Sequence, residues 1–119
     1  MDVKQYYGPG YWSAIHIDAF NAKTYEQKIT SANTIARLIT RFPCLKCRRH
    51  ATEYASHHPF IHAVNNPDPL SLFRWTCEFH NTVNRRIGKP SLSLEDAVKK
   101  WGDEAVCIDA SCNDDDDDE

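Results

Sequence analysis

Leu70-Ser71-Leu72-Phe73-Arg74-Trp75-Thr76-Cys77-Glu78-Phe79-His80-Asn81-Thr82-Val83-Asn84-Arg85-Arg86-Ile87-Gly88 is the stretch that decides the fold. Leu72, Trp75, Phe79 and Val83 recur at spacings of three and four, the apolar stripe of an amphipathic helix. Gly88 is placed to end that helix and Pro90 to prevent its resumption. Cys77, His80, Asn81 and Asn84 fall at i, i+3, i+4 and i+7 on the opposite side, so the same helix carries a second, polar face. An imidazole and two carboxamides in a row can clamp a planar ligand rich in donors and acceptors. Any one of them alone reads as a hydrated surface group, but a whole stripe with a thiol in it is harder to dismiss.

The same period runs outward in both directions. Trp12, Ile15, His16, Ala19 and Phe20 form the stripe of a first helix. A second starts after Thr24, with Glu26 and Gln27 in its first turn, buries Ile35, Leu38, Ile39 and Phe42, and is interrupted by Pro43. A third opens at Pro43-Cys44, shows Cys47, Ala51, Tyr54, Ala55 and His58 on one face, and is expected to close at Pro59. Asn65-Asn66-Pro67-Asp68-Pro69 reads as a turn-rich connector. Beyond the helix at 70–87, Ser93 is a natural N-cap for Leu94 to Trp101, stopped by Gly102. No segment alternates as a strand and no repeat is visible. The expectation is an all-α protein, a four-helix bundle plus a short fifth helix.

A chain of 119 residues has room for one core and not for a two-domain enzyme with its own dinucleotide-binding sheet. The formal charge is −3, but Asp114 to Glu119 are all acidic; without those six, 14 basic residues face 11 acidic ones, a net +3. Such a run repels itself and is expected to stay solvated. The domain is therefore placed at 1–104 and a flexible tail at 105–119. The first residues contain no apolar signal segment, and no stretch approaches the roughly 20 apolar residues a membrane-spanning helix needs. That favours a cytoplasmic protein without membrane attachment. There, five cysteines point to metal binding or redox work rather than structural disulfides.

Cys44-Leu45-Lys46-Cys47 is a Cys-x-x-Cys at a helix start. One helical turn brings two such sulfurs into bonding range, and the unpaired N–H groups there favour a thiolate, the nucleophile of disulfide exchange. Arg41, Lys46, Arg48 and Arg49 add positive charge nearby. A zinc site would need two further ligands, and His50, His57, His58, Cys107 and Cys112 are the nominees, at spacings that match no familiar finger. Covalent haem attachment requires His after the second Cys, where Arg48 stands. A thioredoxin-like context would require strands. A nucleic-acid role has a poor footprint in Arg48-Arg49, Arg85-Arg86 and a charge of +3.

Trp12-x-x-x-His16, Pro43-Cys44-x-x-Cys47 and His80-Asn81-x-Val83-Asn84-x-x-x-Gly88-Lys89-Pro90, in this order, resemble the ERV/ALR family of FAD-linked sulfhydryl oxidases, and especially its short viral members. The match runs from about Gly8 to Trp101, and its last block is the most specific part. The resemblance implies FAD held within the helix bundle. Trp12 and His16 would contact it from the first helix, and Cys77, His80, Asn81 and Asn84 from the fourth. Lys89 would lie near its phosphates or ribose, and Trp101 on the adenine side. It implies Cys44 and Cys47 as the catalytic pair, thiol-containing proteins or a relay protein as partners, oxygen as acceptor and hydrogen peroxide as product. A homodimer built on the first two helices is also implied, and for a viral protein a place in the host cytoplasm, the virus factory or the virion. No metal, nucleic acid or membrane is expected. The rival reading is a non-catalytic zinc- or thiol-binding helical adaptor.

Departures from the family pattern sharpen these expectations. Leu94 stands where cellular members place the first cysteine of a structural disulfide, so Cys107 and Cys112 have no upstream partner. They are read as a candidate shuttle pair for Cys44, with loose exposed thiols as the alternative. Pro9 replaces an arginine common before the Trp-x-x-x-His motif. Cys77 is read as a small buried hydrophobe beside the flavin rather than a redox thiol.

Overall fold

The computed structural model describes residues 3–102, with side chains from residue 8 onward; Cys107, Cys112 and the acidic run lie outside the described residues. Among the described residues six helices follow one another: α1 Val3–Phe20, α2 Tyr25–Thr40, α3 Leu45–His57, α4 Phe60–Asn65, α5 Ser71–Ile87 and α6 Leu94–Trp101. Among the described residues there is no strand.

Local chemistry sets most of the boundaries. At α2 the Thr24 hydroxyl accepts from Gln27 N–H, and the Gln27 side chain accepts from the backbone N–H of Thr24 and Lys23. This reciprocal cap satisfies donors that the first turn would leave open. α5 ends at Gly88, whose φ of +80° suits a residue without Cβ, and both Gly88 and Lys89 N–H groups donate to the Asn84 carbonyl. Ser93 caps α6 through Asp96 N–H, with Glu95 and Asp96 in the first turn and Lys99 and Lys100 in the last, each sign matched to the helix dipole. Gly102 closes α6 against α1: a Cβ there would sit 2.5 Å from the Val98 carbonyl oxygen and 3.3 Å from the Phe20 ring.

One feature departs from the sequence expectation and a second adds to it. Pro59 ends α3 but does not end helical structure. Its φ of −57° feeds directly into α4, a helix the local pattern is too short to reveal. Tertiary packing makes that helix: Val64 is buried, Phe60 lies 4.2 Å from Trp75, and Ser71 donates to the Ala63 carbonyl. The connector after it is indeed a turn, but it is held by a buried lysine. Lys28, 2% exposed, donates to the Asn66 and Asp68 carbonyls at 2.7 Å each. The Asp68 carboxylate accepts from Leu70 N–H and Arg74, and these bonds hold its pKa below the usual carboxylate value.

α5 is the axis of the molecule, packed against α1, α4 and α6. Leu72, Trp75 and Phe79 are buried on one side and Phe73, Thr76 and Cys77 on the other. Burying each large side chain is worth about 1.5–3 kcal/mol, so this helix anchors the core. The second, polar face is therefore not a solvent face, because α1 and α6 cover it. Among the described residues no helix is long and apolar enough to cross a membrane.

Candidate active site

The helical period brings Trp12 and His16 onto one face of α1 and Thr76 and His80 onto one face of α5. Packed together, they form a cluster of planar rings. Trp12 and His80 lie parallel, 3.7 Å between centroids and 1° between planes. Trp101, arriving on α6, lies 4.0 Å from His16, and Phe79 lies 5.1 Å from Trp12. His16 is fully buried; its Nδ1 is 2.9 Å from Thr76 Oγ1 and its Nε2 2.8 Å from His80 Nδ1. Thr76 donates to the Phe73 carbonyl at 2.6 Å. Burial, followed by the neighbouring His80 and Lys100, pushes the His16 pKa down to about 3. Burial holds His80 at about 4, with Lys100 and Lys89 acting in the same direction. Both imidazoles are neutral at pH 7.

The rest of the predicted polar face divides its work. The Asn81 carboxamide exchanges two hydrogen bonds with the Leu92 backbone, donating to its carbonyl and accepting from its N–H, both at 2.8 Å. Asn81 thereby ties the segment leading to α6 onto α5. Asn84 is buried, and its carbonyl closes the turn that places Lys89. Cys77 is buried, and desolvation pushes its thiol up to about 12, which leaves almost no thiolate at neutral pH. Lys100 lies 4.8 Å from the centre of the Trp101 ring. Sequence reasoning missed Lys100; it also missed Thr76, although that residue stands one helical turn before His80.

Cys44 is the N-cap of α3, and its sulfur accepts from Cys47 N–H at 3.2 Å. Such a bond strengthens as the acceptor gains negative charge. Both cysteines are half-buried, while Leu45 between them is 60% exposed. Arg48 Nε is buried without a partner among the described residues. An open groove of about 480 Å³ passes Thr40, Leu45, Arg48 and Arg49 on the outer side of this turn. On the inner side, Tyr11 packs edge-on to Phe42, and Tyr54 of α3 reaches Phe79, 5.1 Å away, which itself touches Trp12. Aromatic packing thus runs from α3 to the ring cluster.

The donor set fits a planar, anionic heteroaromatic cofactor. It offers parallel rings, a neutral imidazole pair and two lysines whose charge reaches His80. Among the described residues no three His, Cys, Asp or Glu side chains converge as metal ligands.

The family model "Erv1 / Alr family" matches residues 9–102. A FAD-linked sulfhydryl oxidase of African swine fever virus (isolate Warthog/Namibia/Wart80/1980) is 34% identical over 91 residues, covering 74% of this chain and 73% of that protein. FAD-linked sulfhydryl oxidases named ERV1 from Oryza sativa subsp. japonica and Arabidopsis thaliana are 28% and 27% identical, each over 114 residues. Those matches cover 93% of this chain and 56% and 57% of the plant proteins. The matched span contains the Cys44–Cys47 turn, the ring cluster and the Lys89 segment alike, and the chain belongs to the Erv1/Alr family.

Proposed function

We propose that this protein is a FAD-dependent sulfhydryl oxidase that forms disulfides in thiol-containing proteins. The observation that carries this reading is a Cys-x-x-Cys turn, its first sulfur already bonded by a helix N–H, at the start of a helix whose Tyr54 packs through Phe79 on a cluster of stacked rings. Trp12, His16, His80 and Trp101 would hold the cofactor's planar part, and Lys89 its phosphates or ribose. Asn81 and Asn84 would position the segments around it, and Cys77 would line the site as an apolar surface. When bound, FAD supplies a two-electron acceptor that returns to its oxidised form by reducing oxygen to hydrogen peroxide.

The chain's own part is thiol–disulfide exchange. A substrate thiolate attacks Cys44 in the Cys44–Cys47 disulfide; a mixed disulfide forms and Cys47 leaves as a thiolate. A second substrate thiolate then displaces Cys44, the substrate disulfide closes, and two electrons have moved to the enzyme, whose Cys44 and Cys47 are left as thiolates that take up the two protons the substrate thiols gave to solvent. The Cys47 N–H stabilises negative charge on Cys44 as it is released. We place the oxidase domain at residues 1–104, with the tail 105–119 carrying Cys107 and Cys112 as a shuttle to Cys44. A homodimer through α1 and α2 and a place in a viral cytoplasmic disulfide-forming pathway, in the virus factory or virion, complete the reading.

The purified protein should be yellow with a flavin spectrum, and it should consume oxygen with a dithiol. Cys47→Ser should abolish that consumption while flavin stays bound. A colourless, zinc-containing preparation would overturn the reading in favour of the adaptor. Serine at both Cys107 and Cys112 should slow oxidation of a protein substrate far more than of a small dithiol; equal effects would sink the shuttle.

A further inference from the structure

Helical threonines commonly turn their hydroxyl back on a carbonyl of the preceding turn, and Thr30, Thr34, Thr40 and Thr82 all do so at exposed positions. Thr76 makes the same bond, to Phe73, but is fully buried, and an imidazole from another helix takes up its oxygen as well. That second contact has a consequence for protons. A carbonyl cannot donate, so the 2.6 Å contact with Phe73 takes the one hydroxyl hydrogen of Thr76, in preference to the weakly accepting Cys77 sulfur that the hydroxyl also meets. Thr76 Oγ1 can then only accept from His16, which requires His16 to carry its proton on Nδ1. His16 is wholly buried and neutral, so its Nε2 is bare and must accept from His80. His80, also neutral, therefore carries its proton on Nδ1 and leaves Nε2 unprotonated. The chain has one direction: His80 donates to His16, His16 to Thr76 and Thr76 to Phe73. No donor among the described residues is bonded to His80 Nε2.

We propose that Thr76 is a positioning residue that sets the proton register of the His16–His80 pair, so that His80 offers an unprotonated Nε2, a hydrogen-bond acceptor, to a donor group of the flavin nucleotide. The identity of that ligand rests on the FAD reading above; the register itself does not. Without the hydroxyl, His16 gains nothing by keeping its proton on Nδ1. It moves to Nε2 and donates to His80, whose own proton shifts to Nε2. The acceptor becomes a donor, and a donor on the cofactor then faces a donor on the protein.

The test is nitrogen NMR of the histidine side chains in the full-length protein, with and without FAD, joined to FAD titration of wild type, Thr76→Val and Thr76→Ser. The wild type should show both histidines protonated at Nδ1 in both states. Thr76→Val, which keeps the shape and removes the hydroxyl, should reverse the register and weaken FAD binding about ten- to a hundredfold. Thr76→Ser should restore both. A wild-type His80 protonated at Nε2 overturns the proposal, and this is decided even if the valine variant fails to fold. A valine variant that is merely less stable, with register and FAD affinity unchanged, also overturns it. Wild-type protein that takes up no flavin, with the register as described, overturns the FAD reading and with it the assigned ligand.

Discussion

The two halves of the candidate site are built on opposite physical terms. At His16 both ring nitrogens have bonding partners and the residue has no exposed surface. At Cys44 the chain begins a helix at half-buried depth, beside an exposed leucine and an open groove that Arg48, Arg49 and Glu53 help to line. A cofactor cradle benefits from side chains already ordered by packing, because preorganisation lowers the entropy lost on binding. An exchange dithiol needs the reverse, since another protein's sulfur must reach it in line. In the proposed function one bundle would serve both needs, with the ring cluster at the α1–α5–α6 junction as the cradle and the Cys44–Cys47 turn at the start of α3 as the dithiol.

The sharpest break of this contrast is Cys47→Ser. Oxygen consumption with a dithiol should fall by roughly a thousandfold or more, while urea denaturation shifts little, because a half-buried thiol contributes little packing. Trp12→Ala should do the opposite kind of damage, costing about 3 kcal/mol of stability by emptying the space against His80 and Phe79, measured by the same denaturation. A Trp12→Ala protein as stable as wild type would mean that the rings do not form a packed unit.

Acid should separate the halves further. The unfolded histidines titrate near their usual value of 6.5, while folded His16 and His80 titrate at about 3 and 4. The unfolded chain therefore binds more protons across that window. The stability these groups contribute is fully present above pH 6.5 and is lost as pH falls toward 4. Denaturation midpoints between pH 7.5 and 4.5 should show this decline, and the paired change His16→Phe, His80→Phe should flatten it. Asp68, held low by Leu70 N–H and Arg74, contributes only to losses below about pH 4. The smallest effect is expected at Asn81→Ala, about 1–2 kcal/mol from two lost bonds to Leu92. It should show as faster amide exchange at Leu92 and Ser93.

Several of these residues are legible in the sequence alone. The Leu72/Trp75/Phe79 stripe, the Gly88 stop and the Ser93 cap each rest on a rule that operates within about two helical turns. Cys44 at a helix start is legible for the same reason. The short α4 is not, since a helix of six residues carries less than two turns of pattern and is stabilised by Trp75 and Ser71, which come later in the chain. Lys28 has the local pattern of an ordinary surface lysine, and only the connector folding over it makes it a buried one.

The sequence by itself determined the all-helical architecture and the position of the dithiol turn, and its resemblance to the Erv1/Alr family nominated Trp12, His16, His80 and Trp101 as candidate site residues. Periodicity, caps and motif spacing are local properties that a linear string of residues carries. Only the tertiary structure decided how those residues are used. Asn81 serves a backbone segment, Cys77 is held as a neutral thiol by desolvation, and Thr76 is bonded to an imidazole sixty positions earlier in the chain. Hydrogen-bond direction and burial depend on what another helix brings to the same place, and no spacing within a single helix can specify that.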